Sequence, residues 1–150
     1  MLTPISFDDL EQALLWVSSP PEFDAAAFVS RTTGKIYSRG SDGPIQDDYP
    51  SNIEDGSEYI AIPHKNELDL GRNLVLRFID EHAQHLSAEV RDAFRRKGAY
   101  SRFKALLLRH RLLENWQRYE NEATAHALER WAEEQGFRVN HGKSNGAGDA

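Results

Sequence analysis

The 150-residue chain predicts an α+β fold. The expected form is a small antiparallel sheet of about three strands packed by helices, with an N-terminal helix and a mostly helical C-terminal half. Three observations carry this reading. Apolar residues recur at helical spacing from Phe7 to Val17. Three short β-branched and aromatic runs lie between Ala26 and Ile62, parted by turn residues. From Leu68 onward the apolar period is helical again.

In the first helix, Phe7, Leu10, Leu14 and Val17 form one stripe. Ser6 is its N-cap, and Asp8 and Asp9 face the positive helix end. Ser18-Ser19-Pro20-Pro21 stops it, because proline cannot continue a helix and restricts the residue before it. Ala26 to Ser38 reads as a hairpin, with Phe28-Val29 and Ile36-Tyr37 as strand cores. Its turn is Thr32-Thr33-Gly34, where Gly34 is free to take positive φ. Residues 39–56 hold Gly, Pro and many acids without periodicity and read as a surface loop. Glu58 to Ile62 is the third strand, stopped by Pro63.

The remaining elements are helices. Leu68, Val75, Phe78 and Ile79 mark the first of them, flanked by Leu70, Leu74 and Leu76. Ser87 is expected to cap a short helix running through Arg96, with Gly98 as its C′ residue. Tyr100 to His110 follows, with Phe103, Leu106 and Leu107 inward. The last helix spans about Leu113 to Gln135, with Leu113, Trp116, Ala123, Ala127 and Trp131 on one face and Gly136 closing it. These elements predict one domain over residues 1–140 and a disordered polar tail over 141–150.

Composition removes several classes. There is no Cys, hence no disulfide framework, thiol nucleophile or Cys-based zinc site. No apolar run approaches the ~20 residues that span a bilayer. Met1 to Leu14 has no basic residue before its apolar stretch, unlike a secretory signal. A cytosolic protein without membrane attachment is expected.

The net charge of -6 hides an asymmetry. Residues 1–30 hold five acids and no Lys or Arg, and residues 41–58 hold six acids and no base. Residues 91–118 hold nine bases against two acids, a local +7. Within that stretch Arg95, Arg96, Lys97, Arg102, Lys104, Arg109 and Arg111 are the candidate ligand-binding residues, joined by Arg91 and Arg118. Lys and Arg interleaved with aromatics (Phe94, Tyr100, Phe103, Trp116, Tyr119) suit phosphate contact plus base stacking. The plainer reading makes these cations helix C-terminal charges and partners for the chain's own acids, with Phe103 and Trp116 in the core. Opposite-sign patches on one chain also fit a homodimer.

Catalytic and metal signals are weaker. His82 and His85, beside Asp80 and Glu81, have the spacing of two ligands but lack a distant third. Glu122, His126 and Glu129 share a helix face, where a carboxylate can orient an imidazole as a base, yet no nucleophile or phosphate loop accompanies them. No catalytic residue, metal or cofactor is therefore assigned. The leading expectation is a non-enzymatic binding or regulatory protein whose basic stretch takes an acidic protein or nucleic acid. The alternative is an enzyme on a small phosphorylated or anionic substrate, with Arg102 or Lys104 as anion clamp and a His as base.

The run R-K-G-A-Y-S-R-F-K, Arg96 to Lys104, resembles the Gly-Ala-aromatic-Arg-Arg-Phe run of a bacterial family, the uncharacterised protein family numbered 0158 in the UPF series. T-T-G-K-I-Y at Thr32 to Tyr37, E-Y-I-A-I-P at Glu58 to Pro63, W-Q-R-Y-E at Trp116 to Glu120 and A-L-E-R-W-A-E-E at Ala127 to Glu134 also fit. The resemblance covers about Ile5 to Phe137 and implies a bacterial cytosolic protein. Two positions depart from it. Ser101 stands where the family usually has the first Arg of its pair, and F-V-S-R stands where Leu-Asp commonly precedes the Thr-Gly turn.

Overall fold

The computed structural model describes residues 2–141. In chain order the elements are β1 (Thr3–Ser6), α1 (Phe7–Val17), β2 (Ala26–Ser30), β3 (Ile36–Gly40), β4 (Gly43–Pro44), β5 (Tyr59–Ala61), α2 (Arg72–His82), α3 (Ser87–Ala93), α4 (Ala99–Arg109), α5 (Leu113–Glu134) and β6 (Phe137–Asn140). The chain folds as α+β and divides into two compact units, Met1–Leu68 with Ala125–Ala150, and Asp69–Thr124. The predicted tail lies outside the described residues, apart from His141.

The first unit carries all the strands. At the start of α1 the Ser6 Oγ accepts the Asp9 N–H at 3.3 Å, and Asp8 and Asp9 fill the first turn. Leu10, Ala13 and Leu14 are buried. The helix closes at Ser18, whose N–H donates to the Leu14 carbonyl at 3.0 Å before the proline pair. The antiparallel sheet runs β4-β3-β2-β5. Ala27 and Val29 are buried on one face of β2, while Phe28, Tyr37 and Tyr59 share the other by strand alternation and register. There Tyr37 meets Tyr49 and Tyr59 edge-on, at 6.4 and 6.2 Å between ring centroids.

Two features differ from the expected three strands. Within the loop assigned to 39–56, β4 pairs Gly43 with Gly40, and Ile53 is buried. Second, β1 and β6 pair in parallel, from Thr3 opposite Phe137 to Ser6 opposite Asn140. Gly34 serves this arrangement as well as the hairpin. It sits at φ +77°, and a Cβ there would overlap the Pro4 carbonyl oxygen.

The second unit is helical. Leu74, Val75, Phe78 and Ile79 of α2, Val90 and Ala93 of α3, Phe103, Leu106 and Leu107 of α4 and Trp116 of α5 are buried. A run of edge-to-face rings links Tyr100, Phe94, Phe103, Trp116 and Phe78, with centroids 5.1–5.9 Å apart. The caps of α3 correct the expected ones. Leu86 is the N-cap and Ser87 the first helical residue, while the helix ends at Ala93 instead of Arg96. Gly98, at φ +74°, is the N-cap of α4. On α5 the buried residues around Trp131 are Leu128 and Ala132, while Trp131 itself is half-buried.

Candidate functional site

The nine bases from Arg91 to Arg118 all belong to the second unit, and all nine are exposed. Helical period explains why. On α4, Phe103, Leu106 and Leu107 turn inward, which leaves Arg102, Lys104 and Arg109 on solvent-facing positions. Arg95, Arg96 and Lys97 lie in the connection between α3 and α4.

Their partners are few. Arg96 pairs with Asp92 one turn back at 3.0 Å. Arg91 donates through Nε to the Ser87 Oγ at 3.3 Å, and Arg102 donates to the Lys97 carbonyl. Among the described residues, Arg96 is the one base of the nine held in an ion pair. Apart from Arg96, the bases of the stretch are thus not held in ion pairs by acids of their own unit.

Arg111 adds a backbone signal. It takes φ +60°, the left-handed position that glycine usually fills after a helix. The motif is satisfied by the Leu112 N–H donating to the Leu107 carbonyl at 2.8 Å. A non-glycine residue held there is strained by about 1–2 kcal/mol, and such strain concentrates at functional positions.

The aromatics of the stretch separate into two groups. Phe103 and Trp116 are buried and closed to a nucleic-acid base. Tyr100, at 36% exposure, reaches the surface, and Phe94 and Tyr119 are half-buried. Burial raises the Tyr100 hydroxyl above its ordinary pKa, helped by the charge of Glu120.

The other candidate groups do not converge. His82 packs its ring against Phe78 and Tyr119, and its Nε2 is 3.9 Å from Glu81. The ring of His85 lies 6.2 Å from that of His110 instead. Among the described residues no group of three His, Asp or Glu side chains is placed to hold a metal ion. On α5, Glu129 pairs with His141, and His126 is exposed.

Sequence reasoning missed a recess in the first unit. A cleft of about 470 Å³ is lined by Asp9, Gln12, Ala13 and Trp16 of α1, by Lys35, Ile36 and Ser38, and by Ile45 and Gln46. An adjoining recess of about 210 Å³ shares Trp16 and Ile45 and is edged by Phe23 and Asp42. Neither is lined by His or by the seven predicted bases. The signals in sequence were the exposed Phe23 and Ile45, apolar residues outside any periodic stripe.

Among the described residues no helix is long and apolar enough to cross a membrane. No curated protein and no solved structure matches the chain. The profile of one family matches residues 22–144, well over half the length, including the hairpin, the basic stretch and α5. The chain thus belongs to the uncharacterised protein family UPF0158.

Proposed function

We propose that the second unit binds a polyanion through Arg95, Arg96, Lys97, Arg102, Lys104, Arg109 and Arg111, with nucleic acid as the leading partner and an acidic protein as the second. The observation that carries this reading is the exposure of nine bases, of which one is held in an ion pair among the described residues. Cations left unpaired by their own fold have their full field available to steer a ligand of opposite sign. The exposed Tyr100, on the same helix as Arg102, gives a base a ring to stack on, and stacking on one aromatic is worth about 1–3 kcal/mol per base. The role is binding without chemistry, in a bacterial cytosolic protein. An anionic-substrate enzyme is less favoured, because neither recess joins one of these bases to a His.

The test is fluorescence anisotropy with labelled single-stranded and duplex oligonucleotides over a salt series. Log affinity should fall linearly with log salt. Changing Arg95→Gln, Arg96→Gln and Lys97→Gln together should flatten that slope by about 2–3 if each contacts one phosphate. No binding at about 50 mM salt, where phosphate contacts are strongest, would remove nucleic acid. A poly-glutamate peptide that then bound in its place would assign the surface to an acidic protein.

A further inference from the structure

The outer edge of β3 is closed by a side chain. Antiparallel pairing with β4 continues as far as the Ile45 N–H, which donates to the Ser38 carbonyl at 2.8 Å. The main-chain ladder ends there, while Asp48 and Tyr49 keep side-chain contact with Lys35 and Tyr37. The Gln46 carboxamide takes over: its Oε1 accepts the Ser38 N–H at 2.8 Å, and its Nε2 donates to the Ile36 carbonyl at 3.4 Å. A carboxamide is a peptide group in miniature. Here it fills the two backbone sites flanking Tyr37 that an added strand would otherwise fill.

The cleft opens at the same edge. Its walls are Trp16, Ala13, Ile36 and Ile45, with Ile45 59% exposed. Acids from both acidic segments of the sequence line the cleft and the recess beside it. Asp9 lines the cleft, Asp42 lines the adjoining recess, and Asp47 follows Gln46. Lys35, the one base in the lining, is already engaged by Asp48 at 2.6 Å. Asp42 and Asp47 have no partner of this kind among the described residues.

We propose that this edge and cleft bind an extended basic peptide, which displaces the Gln46 carboxamide, pairs its backbone with Ile36 and Ser38 and seats an apolar side chain between Trp16 and Ile45. Strand addition to a sheet edge, here once the carboxamide has swung away, takes affinity from main-chain hydrogen bonds and specificity from side-chain pockets. The acidic rim selects the charge of the peptide. The site lies in the first unit and the polyanion surface in the second, and neither reading depends on the other.

The probe is a short fluorescein-labelled peptide of alternating Lys and Val, with a Glu and Val peptide as its opposite. A third version carries N-methyl groups on the residues that would pair. Anisotropy is measured on the full chain, and amide NMR locates the site. The basic peptide should bind about tenfold or more tighter than the acidic one, with the Ser38 amide and the Gln46 side-chain amide shifting on titration. N-methylation should abolish binding, since it removes the ladder donors. Gln46→Ala should bind about three- to tenfold tighter, because no side chain has to be displaced. Equal binding of methylated and unmethylated peptides overturns the pairing. Shifts confined to residues 69–124, or no saturable binding, overturn the site. Should Gln46→Ala fail to fold, the comparison of methylated and unmethylated peptides on the wild-type chain decides alone.

Discussion

The two units use charge in opposite ways. The first, Met1–Leu68 with Ala125–Ala150, has seven Lys and Arg against sixteen Asp and Glu, a formal -9. The second, Asp69–Thr124, has eleven against eight, a formal +3. Several acids of the first unit perform local structural tasks. Asp8 and Asp9 occupy the first turn of α1, and Asp48 holds Lys35. Asp55 accepts the Ser57 hydroxyl at 2.6 Å and the Ser57 N–H at 2.9 Å within a turn, and these bonds, the hydroxyl first, hold its carboxyl below the usual range. Most bases of the second unit perform no such task. They occupy helix positions that the buried stripe leaves to solvent, as Lys104 and Arg109 do, or the connections between helices, as Arg95, Lys97 and Arg111 do. A charge with a local structural partner is explained by the fold, whereas a cluster without one is the better candidate for a ligand.

The largest effects should come from the cores. Trp116 contacts Phe78 and Phe103 edge-on in the second unit, and is 2% exposed. Trp116→Ala should destabilise by about 3–5 kcal/mol, read by urea denaturation. A loss under about 1 kcal/mol, well below the range for a buried aromatic, would show that the ring network is not the core of that unit. In the first unit the comparable test is Gly34→Ala. Its left-handed backbone alone should cost about 1–2 kcal/mol, and overlap with the Pro4 carbonyl adds to this. An unchanged midpoint would mean that the approach of β1 to the hairpin turn is not needed.

That contact also explains what the sequence concealed. The α1 cap, the hairpin and the helical second unit were legible because each is local: a Ser before an acidic turn, a Thr-Thr-Gly between two strands, an apolar period of 3.6. The β1–β6 pair was not. Thr3 to Ser6 is four residues with a proline inside, and its partner is at the other end of the chain. Phe137 and Val139 do alternate with Arg138 and Asn140, but a four-residue alternation beside a helix end carries little weight without its partner. At the candidate site, charge and helical spacing were sufficient to expect exposed bases. They did not reveal the buried state of Leu128 and Ala132 on α5, or the cleft. Those depend on which surfaces meet in three dimensions, as does the use of Gln46 in place of a strand.

Arg111 sharpens the comparison because stability and binding should part there. Arg111→Gly relieves the left-handed strain, offset by the greater freedom of glycine in the unfolded chain. The net gain should be about 0.5–1 kcal/mol in urea denaturation. The same change removes one exposed cation, so oligonucleotide affinity should fall at low salt and converge with wild type at high salt. A variant both more stable and equally tight would take Arg111 out of the binding surface.

The smallest effect tests a charge of the second unit that does have a partner. Asp69, at φ +62°, accepts the Asn73 side-chain amide at 2.8 Å and the Arg77 guanidinium at 2.7 Å. These donors, Asn73 first, hold its carboxyl below the usual range. A depressed acid stabilises the fold above its unfolded pKa, about 3.9, and loses that contribution as pH falls through the lower folded value. Asp69→Asn keeps a side chain that tolerates this backbone and can still bond Asn73, so it isolates the charge. The two proteins should differ slightly in melting temperature at neutral pH and low salt. The gap should narrow at high salt, because the pair is exposed and screened. It should close as the pH falls below the folded pKa of Asp69. A gap that persisted in acid would place the contribution in hydrogen-bond geometry instead of charge. Asp69 would then resemble Asp55 of the first unit, held by hydrogen bonds within its own turn, more than the exposed bases of its own unit.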